Sequence, residues 1–399
     1  MIGKVNKNVL KNRGICLCPL IFLVLFFSCK KIEPKSVFKT NRVVIAYMIA
    51  DNNLDPFSID DLNEMEEGWS NFDGKLIVYL DRAKGANPSH PIVYEIEHDT
   101  TEKIISKVIK VYKEQNSADK DVLNKVLKEI INLYEAKEYG LILWSHGTGW
   151  LPARTKIGST QKSYLPILKS FGRDNDDEID IKDLNTALDL GLNFEFILFD
   201  ACYMGSIEVL YELKNRAKYF VCSPTEILSF GFPYKETIPI LFQKKIDYIL
   251  IGKSFYDFYN KQEGIYNSAT ISVVNSNSLE EVRQSFSELM INNKNLKIDK
   301  ISNIQQYEIS QSNVFFDLGN FMDSLALKNN YNLNKVVFDR LIIYKNNTNK
   351  ILEELTLKSC SGLSIFIPDS LNFKFHNSYK KLNWYNESNY DSFFNTFGY

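Results

Sequence analysis

The chain is short of the side chains that most often build metal centres and covalent frameworks. It has four histidines in 399 residues, at positions 90, 98, 146 and 376, which argues against a metal site built on imidazoles. It has six cysteines, and Cys16, Cys18 and Cys29 crowd into the first 29 residues. Only Cys202, Cys222 and Cys360 remain for the body of the protein. Three thiols are odd in number and too few for a disulfide framework, so at least one stays free. Neither sign of charge dominates. Forty-seven Lys and Arg against 49 Asp and Glu give a formal net charge of −2, without the basic excess that nucleic-acid binding calls for. No internal repeat is present. The rest is an ordinary globular composition, 45% hydrophobic and 24% charged. It is long enough for one large α/β domain with an extension, or for two domains.

No acidic residue precedes Glu33, whereas Lys4, Lys7, Lys11 and Arg13 lead into an apolar run from Ile15 to Phe27. That run is too short for a comfortable membrane span and reads as a signal-peptide core. It stops at Phe26-Phe27-Ser28-Cys29. A small residue before a cysteine here resembles a bacterial lipobox, with phenylalanine where leucine is usual. The expectation is a leader over residues 1–29, with Cys29 lipidated, and a polar tether over residues 30–40. The lipid would hold the protein at a bacterial cell envelope, at the outer membrane or cell surface. A plain signal peptide or an uncleaved anchor is the alternative.

Two stretches stand out in the body. Phe194 to Gly205 reads FEFILFDACYMG. Its unbroken apolar start fits a strand buried on both faces of a parallel sheet. The spacing of Ile207, Leu210 and Tyr211 then predicts a helix. Cys202 thus falls at the carboxyl end of a central strand, where open α/β sheets bind ligands. A helix start close by would favour its thiolate. Tyr139 to Trp150 reads YGLILWSHGTGW and places His146 at another strand end, inside a glycine-rich turn. A cysteine nucleophile needs such a base near it in space, not in sequence. A buried cysteine is also a common inert core residue; Cys222 and Cys360 read as such.

Strands are further expected at Arg42–Ala50, Gly74–Asp81, Ile92–Ile96 and Ala269–Val274, with a helix over residues 122–134 leading into the histidine strand. Asp55-Pro56 reads as a helix cap and Ser278 to Glu281 as a capping box. Residues 336–351 read as a helix and 363–367 as a strand. The β-helix-β rhythm implies an α/β fold with a mostly parallel sheet flanked by helices. Residues 41–294 form the main domain, and 295–399 form an α+β C-terminal extension packed on it.

His146-Gly147-Thr148-Gly149-Trp150 and Asp200-Ala201-Cys202-Tyr203-Met204-Gly205 together resemble the clostripain family of cysteine peptidases, within the caspase, legumain and gingipain group. So do Ala50-Asp51-Asn52-Asn53-Leu54, Ser223 to Glu226, Gly231 to Tyr234, and Gly362 to Pro368. The resemblance runs from about Asn41 to Asp369 and implies a caspase-like fold. It also implies a Cys202/His146 dyad and cleavage after Arg or Lys in protein or peptide substrates, with no cofactor required and calcium left open.

The chemistry agrees. Cys202 attacks the carbonyl, His146 delivers a proton to the leaving amine, and the backbone N–H groups of Gly147 and Cys202 are the natural oxyanion donors. Asp200, two residues before Cys202, would point to the same side and meet a basic substrate side chain. The alternative is that it caps the following helix or bonds loop amides. Glu226 is a weaker candidate for the same pocket. In the basic loop after His146, Lys156 and Lys162 are self-cleavage candidates. The acid cluster at Asp174, Asp176 and Glu178 resembles part of a calcium loop without its glycine, and a solvated helix entrance capped by Asp180 is the stronger reading. Two other functions fit less well: a non-catalytic surface lipoprotein that binds peptides or proteins, and a transpeptidase or cell-wall amidase using the same thiol.

Overall fold

The computed structural model describes residues 40–153, 171–175, 177–293, 303–309, 313–328 and 335–394. Cys29, Lys156, Lys162 and Asp176 lie outside the described residues. Strand β1 (Thr40–Ala50) is followed by α1 (Asp55–Gly68), β2 (Gly74–Arg82), β3 (Ile92–Glu95), β4 (Lys107–Val111), α2 (Lys120–Leu133) and β5 (Ala136–Trp144). Then come a hairpin of β6 (Phe171–Asp174) and β7 (Asp177–Ile179), α3 (Ile181–Ala187), β8 (Phe194–Asp200), α4 (Ile207–Glu212) and β9 (Ala217–Cys222). The chain continues through α5 (Tyr234–Leu241), α6 (Tyr248–Asn260), β10 (Thr270–Asn275), α7 (Leu279–Asn292), β11 (Phe316–Asp317), α8 (Leu318–Lys328), α9 (Lys335–Leu341) and β12 (Ile342–Asn347).

A nine-stranded sheet in the order β12-β10-β9-β8-β5-β1-β2-β3-β4 carries the molecule. Its five central strands, β9 to β2, run parallel, while both ends are antiparallel. The sheet is therefore mixed, which corrects the expectation of a mostly parallel one. The cause lies in two stretches. Lys107–Val111 adds an edge strand that its mixed composition hides. Ile342–Asn347, expected as helix, is β12, in agreement with the strand preference of Ile342, Ile343 and Tyr344.

Along β1 the side chains alternate between two cores. Val43, Ile45, Tyr47 and Ile49 join one, and Val44, Ala46, Met48 and Ala50 the other. Such two-sided burial is why this strand is apolar throughout. Helices α2, α3, α4 and α7 contribute Leu123, Leu184, Ile207 and Val282 to the first core, and α1, α5 and α6 contribute Leu62, Ile238 and Ile251 to the second. After β1 the chain runs outward to β4, then returns on the other side of β1 as β5. The crevice at the carboxyl ends of β1 and β5 is thus the switch point of the sheet.

Candidate active site

Four parallel strands deliver their following loops to that crevice. Trp144 pairs with Asp200 across β5 and β8, and the Ser145 N–H donates to the Asp200 carbonyl at 3.2 Å. His146 and Cys202, each two residues farther on, are thereby brought to one pocket, which also takes Asp200, Ala201, Glu226 and Ile227 into its wall. The turn after His146 approaches the nucleophile strand closely. A Cβ on Gly147 would lie 2.4 Å from the Cys202 carbonyl oxygen, so only glycine fits.

The hairpin β6–β7 holds the histidine loop from behind. Gly172 N–H donates to the His146 carbonyl at 3.0 Å, and Arg173 N–H to Ser145 Oγ at 3.1 Å. This is where the acid cluster goes. Asp174 and Asp177 face each other across the hairpin, and the Asp174 carboxylate accepts the Ser117 N–H at 2.5 Å and the Asn175 amide at 3.0 Å. Among the described residues no three His, Cys, Asp or Glu side chains are grouped to hold a metal ion. Asp180 does precede α3, but its carboxylate accepts from Ala153 N–H and not from the helix.

Asn53, which sequence reasoning did not select, lines the pocket and binds His146: Nε2 lies 2.9 Å from Asn53 Oδ1. With the Asn53 amide placed in this way its oxygen accepts from the ring, which goes with the tautomer protonated at Nε2. The signal was present as an Asp-Asn-Asn turn after a strand, but nothing in the sequence says which strand end faces which.

Cys202 is 6% exposed. Its Sγ lies 3.3 Å from the Ile227 N–H, which donates to it, and 3.5 Å from the Ile227 carbonyl. Burial, with the Glu226 carboxylate adding, pushes the thiol up to about 12. The helix-start effect expected to favour the thiolate is not realised, because α4 begins only at Ile207 and is one short turn and a half. The next residue, Tyr203, sits at φ 60° in the left-handed region, held by its N–H to the Thr225 carbonyl (2.9 Å) and by a ring stack on Phe315 at 4.5 Å. A side chain in that region is strained, and such strain collects at functional turns.

Asp200 forms part of the pocket wall. Its Oδ2 accepts the Phe232 N–H at 3.0 Å and the Tyr234 hydroxyl at 2.8 Å. Oδ1 takes no donor among the described residues. Burial pushes this carboxyl up to about 6 against the pull of those two donors. Gly231, at φ 61°, passes so close that a Cβ would lie 2.5 Å from Oδ2. Beneath lies a second buried acid, Asp61, which accepts the Trp144 indole N–H at 2.6 Å. Burial and then the Asp200 charge raise it well above the ordinary carboxylate range. Glu226 lines the same pocket, pushed up to about 7 by burial, and its Oε2 makes no hydrogen bond among the described residues.

With this geometry in view, the comparisons are specific. A sequence model of the Clostripain family matches residues 46–397. Clostripain of Hathewaya histolytica is 28% identical over 223 residues, which is 49% of this chain and 41% of that protein's length. A secreted C11 cysteine protease from Bacteroides thetaiotaomicron, solved with an irreversible peptide inhibitor, superposes with a TM-score of 0.72 at 31% identity. The match covers 88% of this chain and 100% of that one. An inactive zymogen C11 protease from Parabacteroides distasonis gives 0.73 at 31% identity, over 88% and 98%.

Proposed function

The chain belongs to the clostripain family and is a cysteine endopeptidase, and from that premise we propose that it hydrolyses peptide bonds after arginine or lysine with Cys202 and His146. The observation that carries the specificity is the half-satisfied Asp200, whose Oδ2 is fixed by Phe232 and Tyr234 while Oδ1 is left for a ligand. A buried carboxylate is costly without a cation, and the side chain before the scissile bond supplies one. Asp200 does not cap α4, whose cap is Ser206, but it does bond a loop amide, that of Phe232, through Oδ2; in this reading Oδ1 serves the pocket. Glu226 forms a second acidic wall.

In the reaction Cys202 Sγ adds to the carbonyl carbon as its proton passes to His146, and His146 hands that proton to the departing amine as the C–N bond breaks. The resulting thioester is opened by a water that His146 deprotonates. The N–H groups of Gly147 and Cys202 receive the oxyanion. Burial and the nearby carboxylates disfavour the thiolate before substrate binds, and a substrate cation placed on Asp200 offsets part of that repulsion. We assign no cofactor to these steps.

The chain is exported in this reading, as the Bacteroides thetaiotaomicron relative is described as secreted, and Cys29 carries a lipid. Growth with an alkyne fatty acid should label the wild type and not Cys29→Ala. Self-cleavage at Lys156 or Lys162 would leave two fragments of predictable mass, and an active chain that stays whole would refute it. The function itself is tested with fluorogenic peptides ending in Arg, Lys, Asp or Ala, given to the chain from Lys30 onward and to Cys202→Ala. Cleavage after Arg and Lys, absent in the variant, is expected. Turnover that persists in Cys202→Ala would end the proposal.

A further inference from the structure

The acidic pocket continues into a patch of exposed apolar side chains. Phe230 is 43% exposed, Tyr266 48% and Ile265 41%. Apolar residues scattered singly over a surface need no explanation, but a contiguous group at a site does. These are contiguous. Phe230 packs on Tyr266 at 5.6 Å between ring centroids, and Phe57 meets Phe230 edge-on at 6.3 Å. Phe57 itself lines the pocket, as do Leu228 and Leu352.

The patch is held in shape. The Gly231 N–H donates to the Leu228 carbonyl at 2.9 Å, and the Gly231 carbonyl accepts the Tyr259 hydroxyl at 2.8 Å, which closes the turn carrying Phe230. The Tyr266 N–H donates to the Glu263 carbonyl at 3.2 Å within a short 3₁₀ turn. Leu352 and Glu353 are consecutive side chains in the left-handed region, at φ 50° and 57°, and the Leu352 N–H is pinned to Ser268 Oγ at 3.1 Å. The turn brings Leu352 to the pocket wall beside the aromatic pair.

We propose that the shelf of Phe230 and Tyr266 is a second specificity subsite, which receives an apolar side chain on the amino-terminal side of the basic residue. This rests on the reading of Asp200 as the site for that basic residue. The direction follows from the reaction. The leaving amine must face His146, and Ile227, whose backbone brackets the Cys202 sulfur, begins the segment that leads to Phe230. In the proposal the substrate lies with its carbonyl on Sγ and its amine toward His146, and the part before the scissile bond follows that segment. The chemical class of substrate is then a peptide in which an apolar or aromatic residue precedes Arg or Lys, and acidic or small polar residues there are poor.

The test is a peptide library randomised on both sides of the scissile bond, with products identified by mass spectrometry, for the wild type and for a Phe230→Ser, Tyr266→Ser double variant. Burial of one apolar side chain is worth about tenfold or more in kcat/KM. We expect Leu, Phe or Tyr to be favoured over Ser or Asp by about that factor at a position before the cleaved residue. The double variant should lose most of the ratio. No apolar preference in the wild type, a preference only after the scissile bond, or one that survives both substitutions would overturn the subsite. Cleavage not confined to Arg and Lys would defeat the Asp200 reading, while the apolar preference is still read from the same products. If the chain cleaves nothing, binding of Leu-Arg and Ser-Arg peptides to the Cys202→Ala full chain decides. About tenfold tighter binding of the former is expected, and equal affinity or no binding overturns it.

Discussion

Burial pushes the Asp200 carboxyl up to about 6, so the folded protein holds a proton there that the unfolded chain has already released. Stability from this group is therefore highest at low pH, falls as pH rises between about 4 and 6, and stays lowered above that. Asp200→Asn removes the penalty. We expect the variant to gain about 1–3 kcal/mol at pH 7 in denaturant unfolding, with the gain gone below about pH 4. The same change should lower kcat/KM on arginine peptides by about a hundredfold or more, because it leaves the substrate cation buried without its partner. In the wild type, kcat/KM should fall as pH drops through about 6, when the carboxylate is lost. Asn53 acts on another quantity. It fixes the His146 ring through Nε2, so Asn53→Ala should lower kcat by about three- to tenfold, the worth of one hydrogen bond, with little change in KM. Steady-state kinetics separate the two effects. Cys202, His146 and Asp200 were legible in the sequence because each ends or follows an apolar strand. Asn53 was not, because its role depends on β1 lying beside β5.

At the scale of elements, the helix after the nucleophile is tied down by Glu208. This buried acid accepts the Phe366 N–H at 2.8 Å, the Tyr379 hydroxyl at 2.7 Å and the Ser206 hydroxyl at 2.7 Å. Glu208→Ala strands three buried donors and should cost about 3 kcal/mol or more, seen as a lowered Tm, while Glu208→Gln should cost less. The hairpin β6–β7 supports the histidine loop with its own backbone, and the Asp174 carboxylate is taken up by Ser117 and Asn175. Chelation with EDTA should accordingly leave peptide hydrolysis unchanged. Activity restored only by added calcium would contradict that. Local cap signals served less well than strand patterns. Ser278 spends its hydroxyl on the Arg340 carbonyl and not on α7. Asp55 lies inside α1, with its carboxylate on Arg82. In both places a tertiary partner outcompeted the local one.

At the scale of the whole molecule, the last hundred residues complete the sheet. β12 pairs with β10 as an edge strand, and Trp150, four residues after His146, packs on Phe366 at 4.8 Å and Tyr379 at 4.9 Å. A chain ending at residue 294 would expose the β10 edge and uncover Trp150. We expect it to lack near-UV dichroism and to aggregate; a soluble, folded fragment would show that the tail is a separable extension. The strand types along the chain were mostly readable from period and composition. The order of strands and the antiparallel ends were not, since pairing partners leave no mark on a single strand's own pattern.

The central claim is that Cys202 cuts after a residue whose positive charge rests on Asp200. The most direct measurement compares kcat/KM on paired peptides ending in arginine or in citrulline, its neutral isostere, for the wild type and Asp200→Asn. We predict a preference for arginine of about a hundredfold or more in the wild type, with the ratio falling close to one in the variant. Equal cleavage of both peptides by the wild type, or an undiminished ratio in Asp200→Asn, would contradict the account.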